Sequence, residues 1–137
     1  MSTQTNNVTI TTVMLPIGAF PVITEQTILK EALEEMDDFR LGVACVVNNK
    51  DHLIGIMTDG DIRRKLLSVQ KPLSAFFIDD AIEHAILNPI VISPSNSLYE
   101  AVVLMDKKRV CDLPVVDNNK LVGLLHLHPV VDALLNR

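Results

Sequence analysis

The sequence predicts an α/β fold built from two copies of one unit, and three observations carry that prediction. First, ILKEALEEMDDFRLGVACVV (28–47) lies on SLYEAVVLMDKKRVCDLPVV (97–116) without a gap at an offset of 69. The match pairs Glu31 with Glu100, Ala32 with Ala101, Met36 with Met105, Asp37 with Asp106 and Arg40 with Arg109. Second, after one residue is lost near NNKDH, LIGIMTDGDIRRKLL (53–67) lies on LVGLLHLHPVVDALL (121–135) at an offset of 68. Third, both copies pass from strand to helical periodicity and back in the same order, giving strand, helix, strand, turn, strand, helix.

Taken along the chain, Val22-Ile23 and Val91-Ile92 are β-branched pairs that open each copy as a strand. The Ser/Thr-rich runs 24–27 and 93–97 follow, with side chains suited to capping a helix N-terminus. Leu29, Ala32, Leu33 and Met36, like Leu98, Ala101, Val102 and Met105, fall at i, i+3, i+4, i+7 and mark one buried helix face. Val46-Val47 and Leu53–Ile56, like Val115-Val116 and Leu121–Leu124, form strands around Asn48–Asp51 and Asp117–Asn119, so each pair should be a hairpin. The divisions expected are a tail over 1–12, a first repeat over 13–68, a linker over 69–84 with a short helix near Asp79 to Leu87, and a second repeat over 85–137. IGAF (17–20) adds four residues found only in the first copy. A copy of about 55–60 residues buries too little apolar surface to stand alone. The fold class expected is therefore α/β, two pseudo-twofold-related repeats of about β-α-β-β-α each, packed through their sheets.

At 137 residues, 48% hydrophobic and 21% charged, the composition is that of a folded soluble chain. A net charge of -5 speaks against a non-specific grip on nucleic acid or anionic lipid, which draws on many Lys and Arg side chains. There is no apolar run of membrane-spanning length and no charged-then-apolar signal order at MSTQTNNVTITT, so a cytoplasmic protein is expected. Cys45 and Cys111 form no CxxC and read as buried reduced thiols. Without a nucleophile elbow, a phosphate-binding glycine loop or an HExxH, catalysis is not expected.

The tandem carrying GIMTDGDIRRKL, LPVVDNNKLVG and GLLHLHPVVDAL resembles a pair of cystathionine-β-synthase (CBS) domains over about Val13 to Leu135. More narrowly it is similar to the C-terminal regulatory pair of bacterial arabinose-5-phosphate isomerases, whose sugar-isomerase domain is absent here. A similar pair precedes some sugar nucleotidyltransferases. The resemblance implies a regulatory module that binds an adenosine nucleotide or a nucleotide-sugar, such as AMP, ATP or a CMP-sugar, in an inter-repeat cleft. Such a module modulates an attached or associated sugar-phosphate enzyme, needs no cofactor of its own, and commonly forms a homodimer. The alternative implied is a dimerisation or interaction module with vestigial ligand sites.

In that family Gly-h-x-Ser/Thr-x-x-Asp offers a hydroxyl and a carboxylate to a ligand ribose, and it maps here to Gly55, Ile56, Thr58 and Asp61. Ile56 and Val22 would wall a base. Thr58-x-x-Asp61 is also a capping box that starts a helix, so site and scaffold both account for it. The second copy has His126 and Pro129 at the matching positions, and Pro is tolerated in a first turn, so this helix does not require an acid. Within Arg63-Arg64-Lys65 the side chains point apart, leaving one, Arg64, to direct at a phosphate while the rest form a solvated face. Arg40 and Arg109 read as helix C-terminal charges. His126 and His128 would face one side if the strand continued; polar lining of the second cleft is preferred to a metal site, for which no third ligand is evident.

Overall fold

The computed structural model describes residues 8–135. It is a mixed α/β structure with two sheets, and its packing divides the chain into two units: one continuous over Gly18–Pro89, the other joining residues up to Ile17 with those from Ile90 onward. Nine of the ten strands and helices of the sequence reading form, the strand expected at Val91-Ile92 being reduced to a single bridge, and short elements precede each copy.

In the continuous unit, β2 (Val22–Thr24), α2 (Leu29–Phe39), β3 (Val43–Val47), β4 (Leu53–Thr58) and α3 (Asp59–Ser68) follow the expected order. A short helix α4 (Leu73–Phe77), a 3-10 turn (Ala81–His84) and β5 (Ile86–Leu87) complete it. The sheet order is β2-β3-β4-β5, with β2 parallel to β3 and the other pairs antiparallel. Ile23, Leu29, Ala32, Met36, Ala44, Val46, Met57, Ile62 and Phe76 form the core, so the i, i+3, i+4, i+7 face of α2 is buried as its spacing predicts.

The helix expected near Asp79 to Leu87 is corrected: the α-helix lies earlier, at Leu73–Phe77, and the later segment is the 3-10 turn and β5. An Asp80–Glu83 capping box holds only a short turn, and Ile86 and Leu87 are taken into the sheet by pairing with Ile56 and Gly55. Gly55 eases this pairing, since a Cβ there would come within 3.2 Å of the Ile86 carbonyl oxygen. The capping expected of the 24–27 run also differs. Ile28 is the N-cap of α2 and has no side-chain bond to give, while Thr27 Oγ1 accepts from the Thr24 amide instead. The Leu29 amide donates to the Asp79 carbonyl, so the linker chain satisfies a donor that a side chain would otherwise serve.

In the second unit, α1 (Ile10–Val13) and β1 (Leu15–Pro16) pack with α5 (Leu98–Lys108), β6 (Asp112–Asp117), β7 (Lys120–His126) and α6 (Leu127–Leu134). Its sheet runs β1-β7-β6, all antiparallel. Ile92 contributes one parallel bridge to Val115 rather than a full strand. Ser97 caps α5 as anticipated, in a capping box with Glu100. Ile10, Leu98, Ala101, Met105, Leu113, Val115, Leu125 and Val130 form the core. The expected tail 1–12 and the start of the first repeat at 13 both touch the segment that contributes here: residues 1–7 lie outside the described residues, and Thr9–Pro16 folds with the later sequence.

Arg40 and Arg109 are the C-caps of α2 and α5, both left-handed at φ 56. Their ion pairs with Asp37 and Asp106 are almost fully exposed, so the shared feature is a backbone turn more than a charge effect. Cys45 is buried as expected, whereas Cys111 is exposed, which corrects that part of the reading. Among the described residues no helix is long and apolar enough to cross a membrane.

Candidate ligand site

The sheet register sets Val22, Cys45, Ile56 and Ile86 in one row across β2, β3, β4 and β5. Side chains alternate along a strand, so Thr58, two residues beyond Ile56, stands on the same face at the strand end. Val22 and Ile56, both read from the sequence as apolar walls, thus share a face with Thr58. Cys45 and Ile86 were not anticipated there; counting register from the hairpin would have found Cys45, while Ile86 required knowledge of β5.

Asp61 enters through the capping box. Thr58 Oγ1 accepts from the Asp61 amide at 3.2 Å, and Asp61 Oδ2 accepts from the Thr58 amide at 3.0 Å and from its hydroxyl at 2.9 Å. Asp61 Oδ1 accepts from Arg64 Nη2 at 2.8 Å. Asp61 is 8% exposed, whereas the Arg64 side chain is 65% exposed, so a nearly buried carboxylate is paired with a cation that lies mostly in water. Gly60 makes room for this arrangement, since a Cβ there would come within 3.2 Å of Arg64 Nη1. An open groove of about 310 Å³ is lined by Asp61, Arg64, Lys65, Ser68, His84, Ala85 and Ile86.

His84 stands at the end of the linker expected over 69–84. Its ring stacks on Phe76 at 4.8 Å between centroids, and Nε2 lies 2.9 Å from Asp79 Oδ2, which Lys71 Nζ also reaches at 2.5 Å. The Lys71 hydrogen bond, then that of His84, holds the Asp79 carboxyl below its usual range. Nδ1 of His84 is buried without a hydrogen-bond partner.

The second unit carries different chemistry at the matching place. His126 is the N-cap of α6 but makes no side-chain cap bond; its Nδ1 lies 2.7 Å from Asp112 Oδ1 across the β6–β7 register. Burial pushes the Asp112 carboxyl up from its ordinary value, and the His126 hydrogen bond partly opposes that shift. The strand stops at His126, so His128 lies in the first turn of α6 and not on a continuing strand; even so the two rings are 5.9 Å apart, tilted by 51°. Among the described residues no group of three or more His, Cys, Asp or Glu side chains is placed to hold a metal ion. Asp112 was missed in the sequence, although its register partner in the hairpin was there to be counted.

Comparison with known proteins gives a consistent picture. The family model described as "CBS domain" matches residues 10–68 and again 80–136. An uncharacterized protein of Helicobacter pylori (strain J99) is 37% identical over 122 residues, which cover 87% of this chain and 35% of that protein. The arabinose 5-phosphate isomerase KdsD of Yersinia pestis is 27% identical over 113 residues, 82% of this chain and 33% of that one. The chain spans about a third of the length of the curated relatives it matches. Among solved structures, CBSX2 in complex with AMP, a protein of Arabidopsis thaliana, superposes with a TM-score of 0.82 at 27% identity, covering 95% of this chain and 98% of that one.

Proposed function

The chain belongs to the CBS domain family, of which it carries two copies, and on that premise we propose that it is a regulatory module whose first copy holds an adenosine nucleotide or a nucleotide-sugar. The observation that carries this reading is the convergence of Thr58, Asp61 and Arg64 at the end of the face that also bears Val22 and Ile56. A carboxylate beside a hydroxyl suits the hydroxyl groups of a ribose, the apolar row suits a base, and Arg64 with Lys65 suits a phosphate. The AMP complex of the 27% identical CBSX2 supports the ligand class. The second copy, with His126, His128 and Asp112 in place of that set, takes a different ligand or none.

Ligand binding would act by favouring one conformation of the module, which an attached or associated enzyme feels as a shift in its own equilibrium. The likeness to KdsD makes a sugar-phosphate isomerase the enzyme to test first. The module itself has no catalytic role in this reading. A second reading, a dimerisation module with vestigial sites, is favoured by one observation: the cap and Arg64 already give both oxygens of Asp61 a partner.

A thermal-shift panel of AMP, ADP, ATP, S-adenosylmethionine and CMP-sugars on the chain, with calorimetry of any hit, separates the two. Selective binding to the native state raises the melting temperature, by about 2.7 kcal/mol of added stability at a hundredfold excess over Kd. A panel with no shift, together with ligand-independent dimers in sedimentation, transfers the function to assembly.

A further inference from the structure

Building on the ribose-site reading of Thr58 and Asp61, we infer that Arg64 is an internal stand-in for the ligand, one that must leave Asp61 before a ribose can be held there. The ligand class that such a site favours is a ribonucleoside bearing a 5′-phosphate over the bare nucleoside.

A carboxylate offers about four lone-pair positions. Three are occupied: Oδ2 accepts twice from Thr58 and Oδ1 once from Arg64. A vicinal diol brings two hydroxyl donors, and one position remains. The Thr58 cap is the costlier set of bonds to give up, because it satisfies backbone donors at the start of α3. Arg64 can: its side chain is 65% exposed, and an ion pair so wet is held weakly. A freed guanidinium stays on the groove that Lys65 and Ser68 also line, where a phosphate would take it as a bidentate donor. A nucleoside without phosphate displaces Arg64 and offers nothing in return.

Internal comparison agrees with this arrangement. At the offset of 68, Gly60, Asp61 and Arg64 correspond to His128, Pro129 and Asp132. The glycine beside the arginine, the carboxylate and the arginine itself all change in the copy that lacks the ribose pattern, along with Thr58, Asp59, Arg63 and Lys65, so the whole polar stretch is replaced with them. A cap needs only Thr58 and Asp61, so a capping role leaves Gly60 and Arg64 unaccounted for.

The test is calorimetric titration of adenosine and of AMP into the full chain and into Arg64→Gln. The variant should bind adenosine about threefold to tenfold more tightly and AMP more weakly, lowering the AMP-to-adenosine preference at least about tenfold. Gly60→Ala, whose Cβ would stand 3.2 Å from Arg64 Nη1 and so loosens the guanidinium on Asp61 without removing it, should tighten adenosine by less than Arg64→Gln while keeping AMP, and it carries the test if Arg64→Gln does not fold. If AMP binds the wild type but adenosine affinity is unchanged or weaker in both variants, the ribose uses the one remaining lone pair with Thr58 Oγ1, and the stand-in role is overturned. If neither ligand binds any of the three proteins, the ribose-site reading itself falls, and this inference with it.

Discussion

Asp61 is assigned two tasks, starting α3 and receiving a ribose, and a pair of substitutions separates them. In Asp61→Ala the Thr58 amide and hydroxyl lose their acceptor and Arg64 loses its partner. An unsatisfied, partly buried amide costs about 1–3 kcal/mol, a range that overlaps the 0.5–2 kcal/mol or so measured for cap removal because the bonds are the same ones. The exposed Arg64 pair adds less than about 1 kcal/mol. A total near 2–3 kcal/mol lowers the melting temperature of a 137-residue chain by roughly 7–10 °C. In Asp61→Asn the amide oxygen still accepts from the Thr58 amide, so the cost falls to about 1 kcal/mol or less, yet the charged acceptor for a diol is gone. Thermal unfolding without ligand and calorimetry with AMP should therefore disagree: the two variants differ in stability but both lose at least tenfold in affinity, on the order of 1.4 kcal/mol. Wild-type affinity in Asp61→Asn refutes the ribose role, and a wild-type melting temperature in Asp61→Ala refutes the cap energetics.

Two further outcomes follow from the geometry. Gly123→Ala places a Cβ against Met14 Sδ and within 3.0 Å of the Leu15 carbonyl oxygen, so β1 has to shift; urea unfolding should show a loss of about 1–3 kcal/mol with faster amide exchange in β1 and β7, while Gly55→Ala, at 3.2 Å from Ile86, costs less. Equal effects would contradict the distances. Asp79, whose carboxyl is held low by Lys71 and His84, contributes stability above the ordinary aspartate range, and that contribution is lost as pH falls through this range toward the depressed folded value. Melting curves of wild type and Asp79→Asn should thus differ at neutral pH and converge in acid; a gap that persists in acid would show that packing, not the ionised carboxylate, is at stake.

The elements legible in the sequence were those whose signal is local. The buried faces of α2 and α5 repeat every three to four residues, and the β3–β4 and β6–β7 hairpins announce themselves by turn residues between β-branched runs. The elements that escaped have no local signal. A four-residue helix such as α1 and two-residue strands such as β1 and β5 exist because distant chain supplies their partners: Leu15 pairs with Leu124, and Ile86 with Ile56. The site divides in the same way. Thr58, Asp61 and Arg64 lie within one helical turn and could be read together, whereas Asp112 meets His126 only across a hairpin and His84 meets Asp79 only once the linker has folded.

The two short lead-in segments, α1 with β1 and the 3-10 turn with β5, sit in equivalent places ahead of each copy, yet each completes the sheet of the copy it does not precede. The duplication as written in the gene and the body that folds are consequently out of step by one segment. Gly18–Pro89 is contiguous and emerges from the ribosome whole, so it can close its sheet early. The other unit has to wait, with the segment of its first strand synthesised but unpaired, until about a hundred residues later β7 appears, paying the loop-closure entropy of that span. Expression boundaries chosen at the repeat, such as 10–68, would strip β5 from one sheet and strand β1 without a partner, whereas a cut at Gly18 and Pro89 follows the seam of the folded body.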